Sequence, residues 1–273
     1  MSSPPKKPRH WAWRMSRCVV IGYVAATVGA CTFQRRLIYL PDAGPVALPR
    51  IKGTEGLREV DLVSKDGVAL KAWFWPAPSR TTLLLLHGNA GHRGHRIEWL
   101  EALRPLGVGM FILDYRGYGG SEGSPSEEGL VLDAEAAVDW LTSQGSGPIV
   151  YLGESLGTGV AVELAKRRPP VALILQSAFT SLVDVARAHY AFLPVRLLLR
   201  DRFDSLSKIA EVRCPTLLIH GTLDALVPFS HSEALRERAG GACELFALEG
   251  ADHNDPLWLM HPEYLAAIRR TIP

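Results

Sequence analysis

The sequence predicts an α/β domain with a mostly parallel central sheet and helices on both faces. Short runs that are apolar at every position recur from residue 81 onward, as expected of strands buried on both faces. Helix-forming stretches alternate with these runs, which is the pattern of a parallel sheet covered by helices. A chain of 273 residues with a hydrophobic fraction of 47% is long and apolar enough to bury one sizeable core.

The first predicted strands form a hairpin, and the others are separated by helices. The runs LREVDLVS and VALKAWFW are rich in β-forming residues, and Lys65-Asp66-Gly67 between them is a turn signal. A helix is predicted after Ser126, because acidic residues fill its first turn, and another is predicted to end in cations at Lys166–Arg168. The six apolar runs that follow the hairpin occupy residues 81–88, 107–117, 148–153, 171–177, 214–221 and 243–250.

Residues 1–40 differ from the domain of residues 41–273. A basic, proline-containing tail precedes residues 18–33, which carry no charge, and Arg35 and Arg36 follow closely. This pattern predicts a membrane anchor through residues 11–33 with a single span, its tryptophans at the headgroup level. The positive charge before the run favours a body on the non-cytoplasmic side, although the two arginines after it weaken that inference.

Other interpretations of this apolar segment stay open at this stage. The order of a basic, an apolar and a small-residue region is also that of a cleaved secretory signal. In that case VGAC resembles the lipobox of bacterial lipoproteins, and Cys31 would carry the lipid. A buried core helix is the third alternative.

Composition argues against several classes of partner. The net charge is +2, and no basic stripe with aromatic residues marks a nucleic-acid surface, so we expect no nucleic-acid partner. The cysteines lack metal-ligand spacing, and no carboxylate or thiol is spaced to complete a site with His87, His92 and His95. We therefore expect neither a metal nor a cofactor. The oligomeric state is left open.

Two serines match the pattern G-x-S-x-G, and their context separates them. Ser155 has an apolar strand directly before it and a helix-forming stretch directly after it, as a nucleophile elbow requires. Ser121 is preceded by polar and glycine residues, and Ser124-Pro125 follows it, which indicates a loop. We therefore predict Ser155 as the nucleophile.

A serine hydroxyl needs a base, and the base needs an orienting acid. After an elbow of this kind the acid and then the histidine follow in the chain, each in a loop at the end of a strand. Asp224 and His253 occupy such places. The alternatives considered are Asp252 and Asp255 for the acid, and His220 and His231 for the base.

An oxyanion requires two backbone N–H donors. Leu156 follows the nucleophile at a helix N-terminus, and the second donor is expected from the loop after LLLLHG, with Asn89 as the best candidate. His87 and Gly88 are expected to shape that loop.

Five motifs in order, LLLLHGNAGHRG, ILDYRGYGGSEGSPSEEG, YLGESLGTGVAVELA, HGTLDALVP and GADHND, resemble the α/β-hydrolase superfamily. More narrowly, residues 57–273 are similar to its membrane-anchored, α/β-hydrolase domain-containing serine hydrolases. The resemblance implies a triad of Ser155, Asp224 and His253, and an oxyanion hole of Asn89 and Leu156. Because that branch includes protein depalmitoylases, it also implies hydrolysis of acyl esters or thioesters.

The resemblance also covers DYRGYG, in which Asp114 and Arg116 are expected to form a structural pair. Residues 178–212 separate two predicted strands by more than a usual loop and indicate a small lid. Its leucine-rich face would line an acyl pocket, contact the membrane or pack on the core. Peptide cleavage by the same residues, and a non-catalytic membrane-tethered binding module, are the alternative functions.

Overall fold

The structure, a computed structural model, describes residues 10–49, 55–76, 81–255, 259 and 261–273. The helices are α1 (His10–Ile38), α2 (Ile97–Leu103), α3 (Glu127–Ser143), α4 (Leu156–Arg167), α5 (Leu182–His189), α6 (Val195–Leu198), α7 (Ser205–Lys208), α8 (Ser230–Arg238) and α9 (Pro262–Thr271). The strands are β1 (Leu40–Pro41), β2 (Arg58–Val63), β3 (Ala69–Trp75), β4 (Thr82–Leu86), β5 (Ala90–Gly91), β6 (Gly109–Asp114), β7 (Ile149–Glu154), β8 (Ala172–Gln176), β9 (Thr216–Gly221) and β10 (Cys243–Leu248).

Within the described residues, eight strands form one sheet in the order β10-β9-β8-β7-β4-β6-β3-β2. The β2–β3 and β3–β6 pairs are antiparallel, and all other neighbours in this sheet are parallel. The predicted hairpin and the mostly parallel sheet are therefore confirmed. Strands β1 and β5 form a separate two-stranded parallel ladder, which joins the end of α1 to the loop after β4.

The central strand β4 shows why an apolar run without alternation was informative. All five of its residues are buried. Leu84 and Leu86 point into one core, shared with α3, α4 and α8, and Leu83 and Leu85 point into the other, shared with α2 and α9. Because both faces of the strand are covered, every position has to be apolar. The prediction of helices on both faces is confirmed.

The turn after β6 corrects one expectation about ion pairs. Asp114 and Arg116 are both buried and structural, but they do not pair with each other. Arg93 donates to the Asp114 carboxylate, whereas the Arg116 guanidinium lies 2.8 Å from both Asp133 and Asp66. Arg116 lies on the turn that follows β6, beyond the strand that carries Asp114, so the two side chains reach different partner elements.

Helix α1 lies largely outside the cores. Among the described residues, one helix, spanning Trp13–Ile38, is long and apolar enough to cross a membrane, and none of the residues in its most apolar window is buried. This exposure is not that of a core helix. A membrane anchor and a signal sequence share this length and composition. Between β8 and β9, the segment predicted as a lid contains α5, α6 and α7 and contacts the end of α1.

Candidate active site

Ser155 lies on a strained turn between β7 and α4. Its backbone has φ 50° and ψ −115°, a conformation that costs a non-glycine residue about 1–3 kcal/mol. Hydrogen bonds maintain it: the Ser155 N–H donates to Gln176 O at 2.9 Å, and Thr158 donates to Ser155 O from both its N–H and its hydroxyl. The turn therefore holds the hydroxyl-bearing residue at the end of the central sheet.

Two glycines allow this turn to pack closely. A Cβ on Gly153 would lie 2.7 Å from Gly157 O, and a Cβ on Gly157 would lie 1.9 Å from Leu86 O. Side chains at these positions would collide with backbone atoms, which cannot move aside as a flexible side chain can. Helix α4 therefore begins directly against the end of β4.

The structure brings the three predicted side chains into one hydrogen-bonded line. His253 Nε2 lies 3.0 Å from Ser155 Oγ, and His253 Nδ1 lies 2.7 Å from Asp224 Oδ2. The three residues follow β7, β10 and β9, which are parallel, so their loops meet at one edge of the sheet. The arrangement suits proton transfer from a hydroxyl to an imidazole held by a carboxylate.

The surroundings of Asp224 keep its carboxylate ionised. Burial by itself would raise the pKa of Asp224, but hydrogen bonds from His220 and His253 outweigh it and hold that pKa below its usual range. The N–H groups of Leu226 and Val227 also donate to Oδ1, at 2.9 and 2.7 Å. The site thus has a permanent acceptor for the N–H of the imidazole.

His220 is a residue whose part in the site the sequence did not reveal. It is fully buried, with Nε2 3.2 Å from Asp224 Oδ2 and 2.8 Å from Val227 O. The Ser232 hydroxyl lies 2.6 Å from Nδ1, so a proton on Nε2 satisfies all three neighbours. A proton on Nε2 lets His220 donate to Asp224 and so orient its carboxylate. The His-Gly pair at the end of β9 suggested His220 only as an alternative base. The contact between His220 and Asp224 could not be predicted, because it depends on how the loop after β9 turns back.

The rival residues make other contacts. His231 Nδ1 accepts the N–H of Thr180 at 3.1 Å, which joins α8 to the residues just before α5. Asp252 Oδ1 accepts the backbone N–H of His253 at 2.7 Å and that of Ala225 at 3.1 Å, which joins the loops after β10 and β9. Asp255 lies on the following turn, where its N–H donates to Asp252 O.

The serine of the second G-x-S-x-G match is part of the scaffold. Ser121 is buried, accepts the N–H of Lys71 at 2.9 Å and donates to Asp114 O at 2.9 Å. These bonds join the loop after β6 to β3. Its hydroxyl is thus already used on both sides.

The loop after β4 lies beside the elbow. Leu156 is the first residue of α4, so its N–H has no acceptor within the helix. The position of Asn89 is set by Leu40 N–H and the Tyr118 hydroxyl, which donate to its carbonyl, and by its own side chain, which donates to Ile38 O. The oxyanion role of Leu156 and Asn89 remains a prediction.

Two further contacts hold that loop. Arg96 Nε lies 2.6 Å from Glu154 Oε2. This ion pair links the residue before Ser155 to the helical turn that follows the loop, and the sequence did not predict it. His87 is fully buried, with Nδ1 2.7 Å from Gly88 O, and burial together with the charge of Arg96 lowers its pKa to about 3. His87 is therefore neutral at pH 7.

One cluster of side chains has the composition of a cation site, although the spacing of residues in the sequence predicted no carboxylate there. Asp42 approaches His92 and His95, so a carboxylate is present after all, contributed from fifty residues earlier. However, the two rings stack at 4.0 Å, and each Nδ1 accepts a backbone N–H, from Gly94 and from His92. Because each Nδ1 accepts a backbone N–H, the nitrogen of His92 that faces Asp42 is Nε2, 3.5 Å from Oδ2.

Comparisons with known proteins agree with this architecture. The profile of the family described as "Serine aminopeptidase, S33" matches residues 77–204, which include Ser155. An uncharacterized protein of Mycobacterium tuberculosis is 43% identical over 94% of this chain and 96% of its own length. The α/β-hydrolase domain-containing protein WAV2 of Arabidopsis thaliana is 32% identical over 88% of this chain and 86% of its own. The lysophosphatidylserine lipase ABHD12 of Danio rerio is 39% identical over 59% of this chain, which matches 48% of that protein.

Solved structures show the same fold. The esterase Pf2001 of Pyrococcus furiosus superposes with a TM-score of 0.70 at 21% identity, covering 85% of this chain and 97% of that one. The monoacylglycerol lipase of Paleococcus ferrophilus gives a TM-score of 0.57 at 22% identity, over 74% and 97% of the two chains.

Proposed function

Because this chain belongs to the α/β-hydrolase superfamily, in the branch of α/β-hydrolase domain-containing serine hydrolases, we propose that it cleaves carboxylic ester or thioester bonds through an acyl-enzyme on Ser155. The observation that carries this proposal is the continuous hydrogen-bonded line from Ser155 through His253 to Asp224. A binding role alone has no need of all three groups in this order.

In the first half-reaction, the Ser155 oxygen attacks the acyl carbon while its proton passes to His253 Nε2. The Asp224 carboxylate stabilises the imidazolium through Nδ1. The backbone N–H groups of Leu156 and Asn89 bind the oxyanion of the tetrahedral intermediate, and each such donor contributes about 3–4 kcal/mol. The intermediate collapses as His253 returns the proton to the leaving oxygen or sulfur, which releases an alcohol or a thiol.

In the second half-reaction, His253 takes a proton from water as the water oxygen attacks the acyl-enzyme. A second tetrahedral intermediate forms in the same oxyanion site. Its collapse breaks the bond to the Ser155 oxygen and returns the proton to it. A carboxylic acid leaves, and the free enzyme is restored.

Membrane tethering belongs to the same proposal. We assign α1 as a single-span anchor, on the basis of its length, its exposed apolar surface and the tryptophans near its start. The basic residues before the span favour the non-cytoplasmic side for the following domain. The relative named as a lysophosphatidylserine lipase supports amphiphilic esters as substrates.

Peptide cleavage is the second candidate, because the matching profile is described as a serine aminopeptidase. The two reactions share the nucleophile and differ in the leaving group. Hydrolysis of p-nitrophenyl esters and acyl thioesters, without release from aminoacyl-naphthylamides, favours the proposed function. The opposite pattern favours the peptidase.

A fluorophosphonate probe tests the nucleophile directly. We expect wild-type protein to be labelled, Ser155→Ala to lose all labelling, and the matched control Ser121→Ala to keep it. Thermal melting of each variant shows that it is folded. Labelling that survives in Ser155→Ala would assign the nucleophile to another residue and overturn the mechanism.

A further inference from the structure

The end of α1 is bound to the lid segment, defined here as residues 187–202. Gln34 donates from Nε2 to Leu198 O at 3.1 Å and accepts the N–H of Arg200 at 2.7 Å. One residue on, Arg35 makes a two-pronged contact with Asp201, at 2.8 and 3.1 Å. The helix proposed as the membrane anchor is thus attached to the lid by side chains from both elements.

The contact continues into the charge-free part of α1. The Tyr23 hydroxyl donates to Phe192 O at 3.1 Å. Tyr23 precedes the last residue of α1, Ile38, by about 22 Å at 1.5 Å per residue, and it lies within the uncharged run 18–33. A membrane that takes up this run must therefore also reach the tip of the lid segment.

The lid tip has the side chains expected of such a surface. Tyr190, Phe192 and Leu197 are 53%, 68% and 85% exposed. The two aromatic rings lie edge to face at 6.5 Å, so they form one apolar patch rather than scattered residues. Tyr190 and Phe192 lie on the turn between α5 and α6 and Leu197 lies on α6, and contiguous exposed apolar side chains of this kind mark membrane-interaction sites.

The charge of the lid segment is strongly positive. It carries four arginines, whereas its acidic residue Asp201 is buried against α1. Arg187 and Arg196 line an open cavity of about 520 Å³ together with Leu193 and Leu197, and Asp184, 3.8 Å from the Arg187 guanidinium, lines it as well. Cations beside apolar side chains suit an anionic headgroup with its acyl chain next to it. The lid arginines are Arg187, Arg196, Arg200 and Arg202.

We propose that the lid segment is a second membrane-docking surface, which binds anionic phospholipid headgroups beside α1 and turns the active site toward the bilayer. This inference rests on the proposed anchoring by α1. His189 Nε2 lies 2.9 Å from Leu226 O, on the loop that holds Asp224, so the docked lid adjoins the site. The substrate class that follows is an ester resident in the bilayer surface, which enters from the lipid side.

Fluorescence quenching in nanodiscs tests the docking without any activity measurement. The full chain with Cys18→Ser, Cys31→Ser and Leu197→Cys is labelled with an environment-sensitive dye. Spin-labelled lipids are then added to discs of phosphatidylcholine alone or mixed with phosphatidylglycerol. We expect the dye at position 197 to lose most of its emission, and to lose more in the anionic discs. Cys243 competes little for the dye, because burial raises its pKa to about 11.

Two further probes separate this inference from the anchoring. Native Cys18, labelled in the Cys31→Ser chain, reports insertion of α1. Ser143→Cys places a dye at an exposed site far from the lid segment. Glu127, the first residue of α3, contacts the lid at Arg202, and position 143 lies at the other end of that helix, about 24 Å away. We expect quenching at Cys18 and none at 143.

Each remaining outcome contradicts the docking of the lid, the anchoring by α1, both of these, or the headgroup assignment. Quenching at Cys18 with none at position 197 would overturn the docking and leave the anchoring in place. No quenching at either would overturn both. The double variant Arg187→Glu and Arg196→Glu should abolish the gain in anionic discs. If that gain persists, or if both lipid mixtures quench equally, the headgroup assignment is wrong.

Discussion

The variant Gly157→Ala tests whether close packing of α4 against β4 positions the site. A Cβ at this position would lie 1.9 Å from Leu86 O, whereas ordinary contact begins at 3.4 Å, so the start of α4 has to retreat by about 1.5 Å. Ser155 and Leu156 lie on the segment that would move. A displacement on the order of 1 Å costs about 100-fold in rate when it disturbs a reacting group. The overpacking itself costs about 1–3 kcal/mol of stability.

The assay is the hydrolysis rate of a p-nitrophenyl ester, with fluorophosphonate labelling as a second measure. We expect kcat/KM to fall about 100-fold or more, with a cooperative thermal transition retained. The control Gly145→Ala places a side chain at a positive φ, a strain that Gly157→Ala does not carry, but nothing lies within 4 Å of the new Cβ. Wild-type activity in a folded Gly157→Ala enzyme would refute the reasoning, because the elbow would then tolerate the retreat of α4.

Three further outcomes follow from buried carboxylates. Asp224→Asn should lower kcat about 10³–10⁴-fold, since an amide does not hold the His253 imidazole in the required tautomer. Steady-state kinetics test this prediction. A loss of kcat below tenfold would contradict it. The folded-state pKa of Asp224 is lowered, so its ionisation stabilises the fold above about pH 4 and that contribution is lost as the pH falls. Denaturant unfolding at several pH values should therefore show a shallower acid loss in Asp224→Asn than in wild type, and equal slopes would count against this linkage. Asp201→Ala should lower the free energy of unfolding by about 1–3 kcal/mol, because the buried Tyr39 hydroxyl loses its acceptor. Thermal unfolding measures this loss, with Asp61→Ala, which removes an exposed ion pair, as the control. Equal stability of the two variants would refute the prediction.

The strand and helix predictions succeeded because they depend on residues adjacent in the chain. A run such as Thr82–Leu86 can be apolar at every position only where both of its faces are covered. The steric need for glycine around Ser155 also lies within five residues. Asp224 and His253 could be predicted from chain order, because the ends of parallel strands meet at one edge of the sheet.

Other contacts join residues that no local pattern connects. His220 could not be assigned to Asp224 from spacing alone, because the loop after β9 has to fold back before the two side chains meet. Asp42 approaches His92 only because β1 pairs with β5. Arg116 likewise meets Asp133 of α3 rather than Asp114, because the turn after β6 carries Arg116 toward that helix.

The class of fold, a strand–turn–helix around Ser155 and an apolar segment near the N-terminus can all be predicted from the residues in order. They follow from periodicity, from backbone sterics and from the cost of burying charge, which act along neighbouring residues. The binding of α1 to the lid through Gln34 and Arg35, and the contact of His220 with Asp224, are seen only once the chain is folded. Such contacts depend on which loops close on one another in space, and no local pattern specifies that closure.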